Sequence, residues 1–312
     1  MTEKQFPVLA VMIVLLSTGC NRSDPVIKDE EEYIASIEKW QQERLERLKG
    51  KSGWLNLAGL FWLEEGENTF GSDSANDLVF PEKAGDFCGT LTLREGQVTL
   101  ETTGNSEIYS GGEPVSTMAL RDDQLRNTTI LRQGDLEWYI IRRGDKYGVR
   151  LRDHDHPRID QLDHIPAYPI QTEYVVEARL VPFDKPRTML VATPVEGYIE
   201  EYSCPGELHF TLKGEQLKLL PFTSGRNYFL VFADETTGRE TYGSGRFLYA
   251  SRSFFTGRII LDFNKAYNPP CTFSPYATCP MPPGENFLPV AIEAGEKAVH
   301  SDYFPSPSAR KR

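Results

Sequence analysis

From Trp54 onward the chain is a succession of short apolar or alternating stretches, and this pattern most constrains what it can fold into. Examples are LTLREGQVTLET, EYVVEARLVPF and RNYFLVFADETTG, each bounded by Gly, Asn, Asp or Pro. Alternation with a period of two places one face of a strand in a core, and closely spaced turn residues join neighbouring strands in antiparallel order. We therefore expect a mainly β fold built of antiparallel sandwich or barrel units.

One amphipathic helix is expected before the strands, over residues 29–49. Its apolar residues recur at helical spacing: Ile34, Ile37, Trp40, Leu45 and Leu48. The opposite face is rich in glutamate, which favours docking on the β domain over docking on a membrane. Gly50 and Gly53 are suited to ending the helix.

The strand pattern is broken by RDHDHPRIDQLDHIPAYP, which begins at residue 152. We place a boundary there, between a first β unit (53–153) and a second β unit (165–300), followed by a tail (301–312). The three histidines and the aspartates of this segment are possible ligands for Zn, Fe or Ni. Because Pro157 interrupts their spacing, a solvated charged turn is the favoured interpretation, and no metal is predicted.

The N-terminal residues 1–20 have the pattern of a signal peptide, with an apolar run too short to span a bilayer in the ordinary way. Small residues directly before Cys20 resemble a bacterial lipobox, in which that cysteine is lipidated. Residues 21–50 would then be a tether and the helix. Since Asn21 and not Asp follows the cysteine, we expect a lipid-anchored cell-envelope protein, in the outer membrane if the cell has one.

The chain carries 45 acidic and 34 basic residues, a net charge of −11. This argues against nucleic acid or an anionic lipid surface as the main partner. The expected partners are the membrane, through the lipid anchor, and a small-molecule or saccharide ligand; no cofactor is predicted.

Residues 268–286, NPPCTFSPYATCPMPPGEN, contain six prolines and two cysteines. Proline fixes φ and removes a backbone donor, so the segment is expected to be a rigid irregular loop. Once Cys20 is set aside, Cys88, Cys204, Cys271 and Cys279 remain, and they allow three disulfide pairings. Cys271 with Cys279 is the favoured pair.

The densest set of polar residues surrounds this loop and forms the candidate binding pocket: Glu240, Tyr242, Arg246, Asp262, Asn264, Tyr267, Asn268, Glu293 and Glu296. Asp262 and Asn264 share a strand face, and Arg246 near Asp262 would form an ion pair. A further carboxylate there would bind its proton more tightly, as a general acid or base requires. The alternative is that these residues only tie the loop to the sheet.

No catalytic string accompanies these residues. GKS at residues 50–52 lacks the earlier glycine of a P-loop, GSG at residues 243–245 is not GxSxG, and Cys271 has no evident base. Whether the chain is an enzyme stays open. A ligand-binding envelope protein is the leading hypothesis, with a carboxylate-dependent hydrolase and a non-catalytic scaffold as alternatives.

Two parts of the sequence resemble known families. ENTFGSDSANDLVFPE resembles the opening of forkhead-associated domains, which implies a β-sandwich; because Ser72 occupies the place of the phosphopeptide-reading arginine, it implies no phosphopeptide binding. GWLNLAGLFWLEEGENTFGS, YGSGRFLYA and LDFNKAYNPPCTFSPYATCPMPPGENFLPVAIEAGE are similar to the bacterial and archaeal family called domain of unknown function 1684, from about Trp40 to Glu296. That family implies no particular activity.

Overall fold

The computed structural model describes residues 26–104, 106–252 and 258–299. The expected lipobox with Cys20 and the tail 301–312 lie outside the described residues. Within the described ranges, no helix is both long and apolar enough to cross a membrane. The fold is mainly β with one long N-terminal helix, which confirms the predicted fold class.

Helix α1 spans Glu30–Lys49, close to the predicted range. Asp29 caps its N-terminus by accepting a hydrogen bond from the Glu32 N–H at 3.0 Å. Ile37 and Leu48 are buried, and the helix contacts the 3₁₀ turn Phe263–Lys265. The apolar stripe therefore packs on the β domain.

The first β unit consists of eleven strands in two sheets. The strands are β1 (Leu57–Trp62), β2 (Gly66–Gly71), β3 (Leu78–Val79), β4 (Gly89–Arg94), β5 (Gln97–Thr102), β6 (Tyr109–Ser110), β7 (Glu113–Pro114), β8 (Thr117–Leu120), β9 (Leu131–Gln133), β10 (Leu136–Arg143) and β11 (Lys146–Asp153). One sheet has the order β1-β11-β10-β9-β6-β7 and the other β3-β2-β4-β5-β8. Phe70 of one sheet meets Trp138 of the other in a shared apolar core, with ring centroids 5.3 Å apart.

Strand β11 is buried on both faces. Val149 and Leu151 belong to the core between the sheets, and the period of two directs Arg150 and Arg152 to the opposite face. Both arginines are nonetheless buried. Arg152 is covered by the segment before β1, where it donates to Asn56, whereas Arg150 contacts Thr278 of the second unit.

A four-residue helix, α2 (Arg158–Gln161), lies in the segment between the two sets of strands. The second unit follows with β12 (Val175–Ala192), β13 (Ile199–Leu212), β14 (Glu215–Leu219), β15 (Phe222–Ser224), β16 (Asn227–Asp234), β17 (Arg246–Arg252), β18 (Ile259–Asp262) and β19 (Phe287–Leu288). Seven strands run in the order β14-β13-β12-β18-β17-β16-β15, and β19 pairs with β16. The sheet curves into a nearly closed barrel. Among the described residues, no strand of this sheet pairs with a strand of the first unit.

The barrel interior is filled by one cluster that includes Leu230, Phe232 and Phe263. On the outer face of the same strands, Phe229 and Phe247 pack against Cys279 and other residues of the proline-rich loop. The loop therefore covers an apolar sheet face. It contains the 3₁₀ turns Pro270–Thr272 and Gly284–Asn286, and a third turn, Phe263–Lys265, precedes it.

Candidate functional site

Arg246, at the start of β17, is fully buried and does not pair with Asp262 as predicted. Its guanidinium lies 2.8 Å from the Asp234 carboxylate and donates to the carbonyl oxygens of Ile292 (2.9 Å) and Ala294. The reason is strand order: β16, which ends at Asp234, lies beside β17 in the sheet. Arg246 therefore clasps the C-terminal segment to the barrel.

Asp262 faces helix α1 instead. The Tyr33 hydroxyl donates to the Asp262 carboxylate at 2.7 Å, and the Asn264 amide donates to the Tyr33 oxygen at 2.9 Å. Asn264 also exchanges two hydrogen bonds with the Gln171 backbone, at 2.8 and 3.0 Å. Burial raises the pKa of Tyr33, and the neighbouring Asp262 raises it further. This group attaches the first turns of the helix to the second unit.

Glu296 is buried and holds the middle of the same helix. The Arg44 Nε lies 3.1 Å from its carboxylate, and the Asn268 N–H donates to it at 2.7 Å. Burial raises the pKa of Glu296, and Arg44 opposes that shift. The Arg44 guanidinium also lies 4.6 Å from the centre of the Tyr267 ring, which Trp40 contacts from the helix.

The predicted pocket residues are thus divided between separate structural contacts, and helix α1 covers most of them. Glu240 forms an ion pair with Lys297 at 3.0 Å, and the Glu293 side chain is exposed. Tyr242 faces the two loop cysteines. The single open pocket that the sequence suggested is not formed: one group of these residues contacts helix α1, Arg246 contacts the C-terminal segment, and Glu240 and Glu293 are exposed.

Sequence reasoning missed a different polar centre, at the junction of the two units. Arg150 on β11 lies opposite Tyr139 of β10 and is 5% exposed. It hydrogen-bonds Tyr139, reaches the Thr278 hydroxyl of the proline-rich loop at 3.5 Å, and lies 5.9 Å from the centre of the Trp54 ring. Its Nε has no hydrogen-bond partner among the residues that the structure describes.

No carboxylate lies within ion-pair distance of Arg150 in the part of the chain that the structure describes. Two neighbouring buried arginines donate hydrogen bonds to neutral acceptors. Arg152 donates to the Asn56 side chain at 2.7 Å, and Arg158 donates to the Phe273 carbonyl at 3.1 Å. Burial lowers the pKa of Arg150, and nearby Arg143 adds to that effect while Tyr139 opposes it. Arg143 itself is engaged by Asp123 at 2.8 Å. Asp123 also opposes the lowering of the Arg150 pKa, although it forms no ion pair with Arg150.

Aromatic side chains surround this arginine. Trp54 packs against the outer aromatic face of the barrel, in the cluster that also contacts Tyr202 and Tyr267. It also lines a cleft of about 610 Å³ beside the last turns of α1, together with Arg44 and Arg47. Another cleft, of about 770 Å³, lies elsewhere on the barrel, and there the Glu177 carboxylate is already paired with Arg258 at 2.6 Å.

The arginine was detectable in principle from the alternation in KYGVRLRD. In this strand, arginines alternate with apolar residues, so they lie on the face away from the core. That face is buried only if another part of the chain packs on it, and the sequence does not show which part does. For the same reason Tyr33, Arg44 and Asp234 were missed as partners.

The histidines of the segment after β11 take separate partners. The His154 imidazole lies 3.5 Å from the Glu137 carboxylate, and His156 accepts a hydrogen bond from the Arg158 N–H at 3.2 Å. Burial and the nearby guanidinium lower the pKa of His156 to about 4. Across the described residues, no group of three or more His, Cys, Asp or Glu side chains is placed to hold a metal ion.

The favoured cysteine pair lies together in the rigid loop. The Cys271 N–H donates to the Cys279 sulfur at 3.1 Å, and both residues are free thiols in the structure, as are Cys88 and Cys204. The predicted proximity is thus present without the bond, and the disulfide stays a prediction.

Comparison with known proteins identifies the second unit. The family described as "Protein of unknown function (DUF1684)" matches residues 160–297, a narrower extent than the resemblance from Trp40 suggested. No curated protein matches the chain. An uncharacterized protein from Haloarcula marismortui, solved by solution NMR, is 32% identical over 44% of this chain and 78% of its own, with a TM-score of 0.37.

Forkhead-associated structures are also among the similar ones, in keeping with the weak resemblance of the first unit. The FhaA forkhead-associated domain is 16% identical over 30% of this chain and 97% of its own, with a TM-score of 0.21. Mycobacterium tuberculosis EmbR, in complex with a low-affinity phosphopeptide, is 13% identical over 40% of this chain and 32% of its own, with a TM-score of 0.21. No activity is carried over from these structures. The family match shows that residues 160–297 of this chain belong to the DUF1684 family.

Proposed function

We propose that this chain is a lipid-anchored cell-envelope protein that binds a small anionic molecule at the junction of its two β units, beside the proline-rich loop. One observation carries the proposal: Arg150 is a buried guanidinium with an unpartnered Nε and no ion-pair partner among the described residues. The expected binding function is kept, but its proposed centre is Arg150 beside Thr278 of the loop and not the residues under helix α1.

The physical argument concerns the cost of an uncompensated charge. Burying a guanidinium without a counter-charge is costly, and native structures normally pair such a group or supply enough neutral acceptors. Arg152 and Arg158 have side-chain or carbonyl acceptors, whereas Arg150 keeps a donor free. An anionic ligand would provide both the missing acceptor and a directly bonded counter-charge.

The surroundings define the ligand class. A guanidinium binds a carboxylate or a phosphate through parallel hydrogen bonds, and aromatic rings bind flat or sugar-like surfaces. Trp54 and Tyr139 are the rings in contact with Arg150. A small carboxylate or a phosphorylated metabolite therefore fits better than a neutral saccharide.

The test is a thermal-melting titration of the mature protein with inorganic phosphate, citrate and glucose, at constant ionic strength set with chloride. At ten times its dissociation constant, an anion bound only to the folded state should raise the melting temperature by about 3 °C. Arg150→Met should abolish the shift, whereas Arg226→Met, which removes an exposed arginine, should retain it. Equal shifts in both variants, or no shift by any anion in the wild type, would contradict the proposal.

The sealed position of Arg246 and Glu296 favours a second candidate, a non-catalytic envelope scaffold. Leu190 and Ile199 are 64% and 52% exposed and share one face of the β12–β13 hairpin, where Ala192 pairs with Ile199. Neighbouring exposed apolar side chains are typical of protein contact surfaces. Cross-linking in intact envelopes should then give a discrete adduct that Leu190→Asp removes; absence of any adduct would argue against it.

The hydrolase alternative gains no support. Catalysis by paired carboxylates needs two acidic groups that share one open site. Glu296 is occupied by Arg44 and Asn268, and Asp262 by Tyr33.

A further inference from the structure

The two cysteines of the proline-rich loop form a contact that the proposed anion site does not use. Cys271 follows Pro270 in a 3₁₀ turn, and its N–H donates to the Cys279 sulfur at 3.1 Å. The two thiols hydrogen-bond each other. Prolines on both sides of each cysteine fix the loop, so the sulfurs are held together by the backbone and not by chance contact.

The environments of the two sulfurs differ. Cys279 is 5% exposed, whereas Cys271 is partly exposed. The Tyr242 hydroxyl hydrogen-bonds Cys271 and not Cys279. Cys271 thus has two donors directed at its sulfur, and it is the sulfur that a partner can reach.

Hydrogen bonding opposes the effect of burial on the pKa of Cys271 but adds to it on the pKa of Cys279. The hydrogen bond from Cys279 lowers the pKa of Cys271, and the bond from Tyr242 lowers it further against the effect of burial. Burial raises the pKa of Cys279, and the hydrogen bond with Cys271 raises it further, with Glu200 as the other nearby acid. The thiolate is the nucleophilic form of cysteine, so these differences separate an attacking sulfur from a resolving one.

We propose that Cys271 and Cys279 are a redox-active dithiol that undergoes thiol–disulfide exchange with a small-molecule or protein disulfide, with Cys271 as the attacking sulfur. The Cys271 thiolate attacks one sulfur of the partner disulfide; a mixed disulfide forms, and the first partner thiolate leaves. Cys279 then loses its proton to solvent and attacks the Cys271 sulfur, which releases the second partner thiolate. The dithiol is oxidised by two electrons and the partner disulfide is reduced to two thiols.

This role differs from that of a structural disulfide. A structural bond would form once and resist reduction, whereas a dithiol of this kind exchanges in the folded state. Tyr242 is a positioning residue here, since it acts through the Cys271 sulfur. The proposal goes beyond anion binding and does not depend on it.

The experiment uses the mature reduced protein with oxidised glutathione as the probe, followed by alkylation and peptide mapping. The wild type should acquire a Cys271–Cys279 disulfide that reduced glutathione reverses, while buried Cys88 and Cys204 remain thiols and serve as internal controls. Cys279→Ser keeps a hydrogen-bond donor and should trap glutathione on Cys271. In Cys271→Ser, adduct formation on Cys279 should be about tenfold slower or absent.

A structural role is distinguished by the pH profile. Tyr242→Phe, introduced into the Cys279→Ser variant, should move the midpoint of adduct formation to higher pH and slow the reaction at pH 7 several-fold. The melting temperature should stay nearly unchanged, which a purely structural role of Tyr242 would not allow. The proposal is overturned if the folded wild type neither exchanges with oxidised glutathione nor is reduced by reduced glutathione. It is equally overturned if Cys279 reacts as fast as Cys271.

Discussion

The buried pair of Arg246 and Asp234 permits a prediction that separates a structural clasp from a binding residue. Arg246→Met removes a guanidinium that is fully buried and bonded to one carboxylate and three backbone carbonyls, those of Ile292, Ala294 and Glu296. Breaking a buried pair by removing one partner costs about 3–5 kcal/mol, because the remaining charge is uncompensated. Each carbonyl that loses its donor adds about 1 kcal/mol or more. The expected loss is therefore about 6–8 kcal/mol of the free energy of unfolding.

Part of that loss should be recoverable. Asp234 accepts at its other oxygen from the Thr236 N–H at 2.8 Å, and Asn in its place would keep that acceptor without the charge. Adding Asp234→Asn to Arg246→Met should thus restore about 2 kcal/mol. Arg132→Met is the control, since its ion pair with Glu137 is at the surface and should cost under about 1 kcal/mol.

Urea unfolding followed by tryptophan fluorescence measures each free energy. Should Arg246→Met remain within about 1 kcal/mol of the wild type, the clasp interpretation is wrong and the arginine is free to serve a ligand. If adding Asp234→Asn lowers the free energy of unfolding further, the unpaired Asp234 charge is not the cause of the loss in Arg246→Met.

The other predictions concern the junction, the charged turn, the helix and the anchor. Arg150→Met should leave the free energy of unfolding unchanged or raise it by about 1 kcal/mol, because the guanidinium it removes lacks a counter-charge; a loss above about 2 kcal/mol by urea unfolding would show a structural role. The pKa of His156 lies below its ordinary value, at about 4, so the folded state binds fewer protons than the unfolded state between about pH 4 and 6.5, and stability falls as the pH falls through that window. His156→Asn should flatten this pH slope, and an unchanged slope would assign the effect to other groups. Tyr33→Phe should destabilise the attachment of α1 by about 1–2 kcal/mol and speed hydrogen exchange in the helix more than in the barrel; uniform exchange would refute the local effect. Cys20→Ala should move the protein from membranes to the soluble fraction, and retention of this variant in the membrane would refute the lipid anchor.

Local patterns made most of the architecture predictable. The period-two alternation indicated antiparallel strands, and apolar residues at helical spacing indicated helix α1 almost to the residue. The prolines of residues 268–286 indicated an irregular loop, and the short spacing of Cys271 and Cys279 indicated their proximity. Each of these properties depends on residues close in the chain, whose geometry the backbone dictates.

Partner choice could not be predicted in the same way. Arg246 has an aspartate on either side in the sequence, at positions 234 and 262. The strand order places Asp234 beside it, so the ion pair forms with Asp234. Asp262 and Glu296 are covered by residues of α1 more than 220 positions away in the sequence. The sequence therefore identified the polar residues around the loop but not that a helix occupies the space between them.

The junction arginine shows the same limit most clearly. The alternation in KYGVRLRD determined that Arg150 faces away from the core of the first unit, a consequence of strand geometry alone. That this second face is buried, and that Thr278 and Trp54 reach it, depends on how the second unit packs against the strand. The sequence determined strands, helix and loop because these follow from local backbone preferences and periodicity; the tertiary structure decided which charges are compensated, because desolvation and pairing depend on groups brought together from distant parts of the chain.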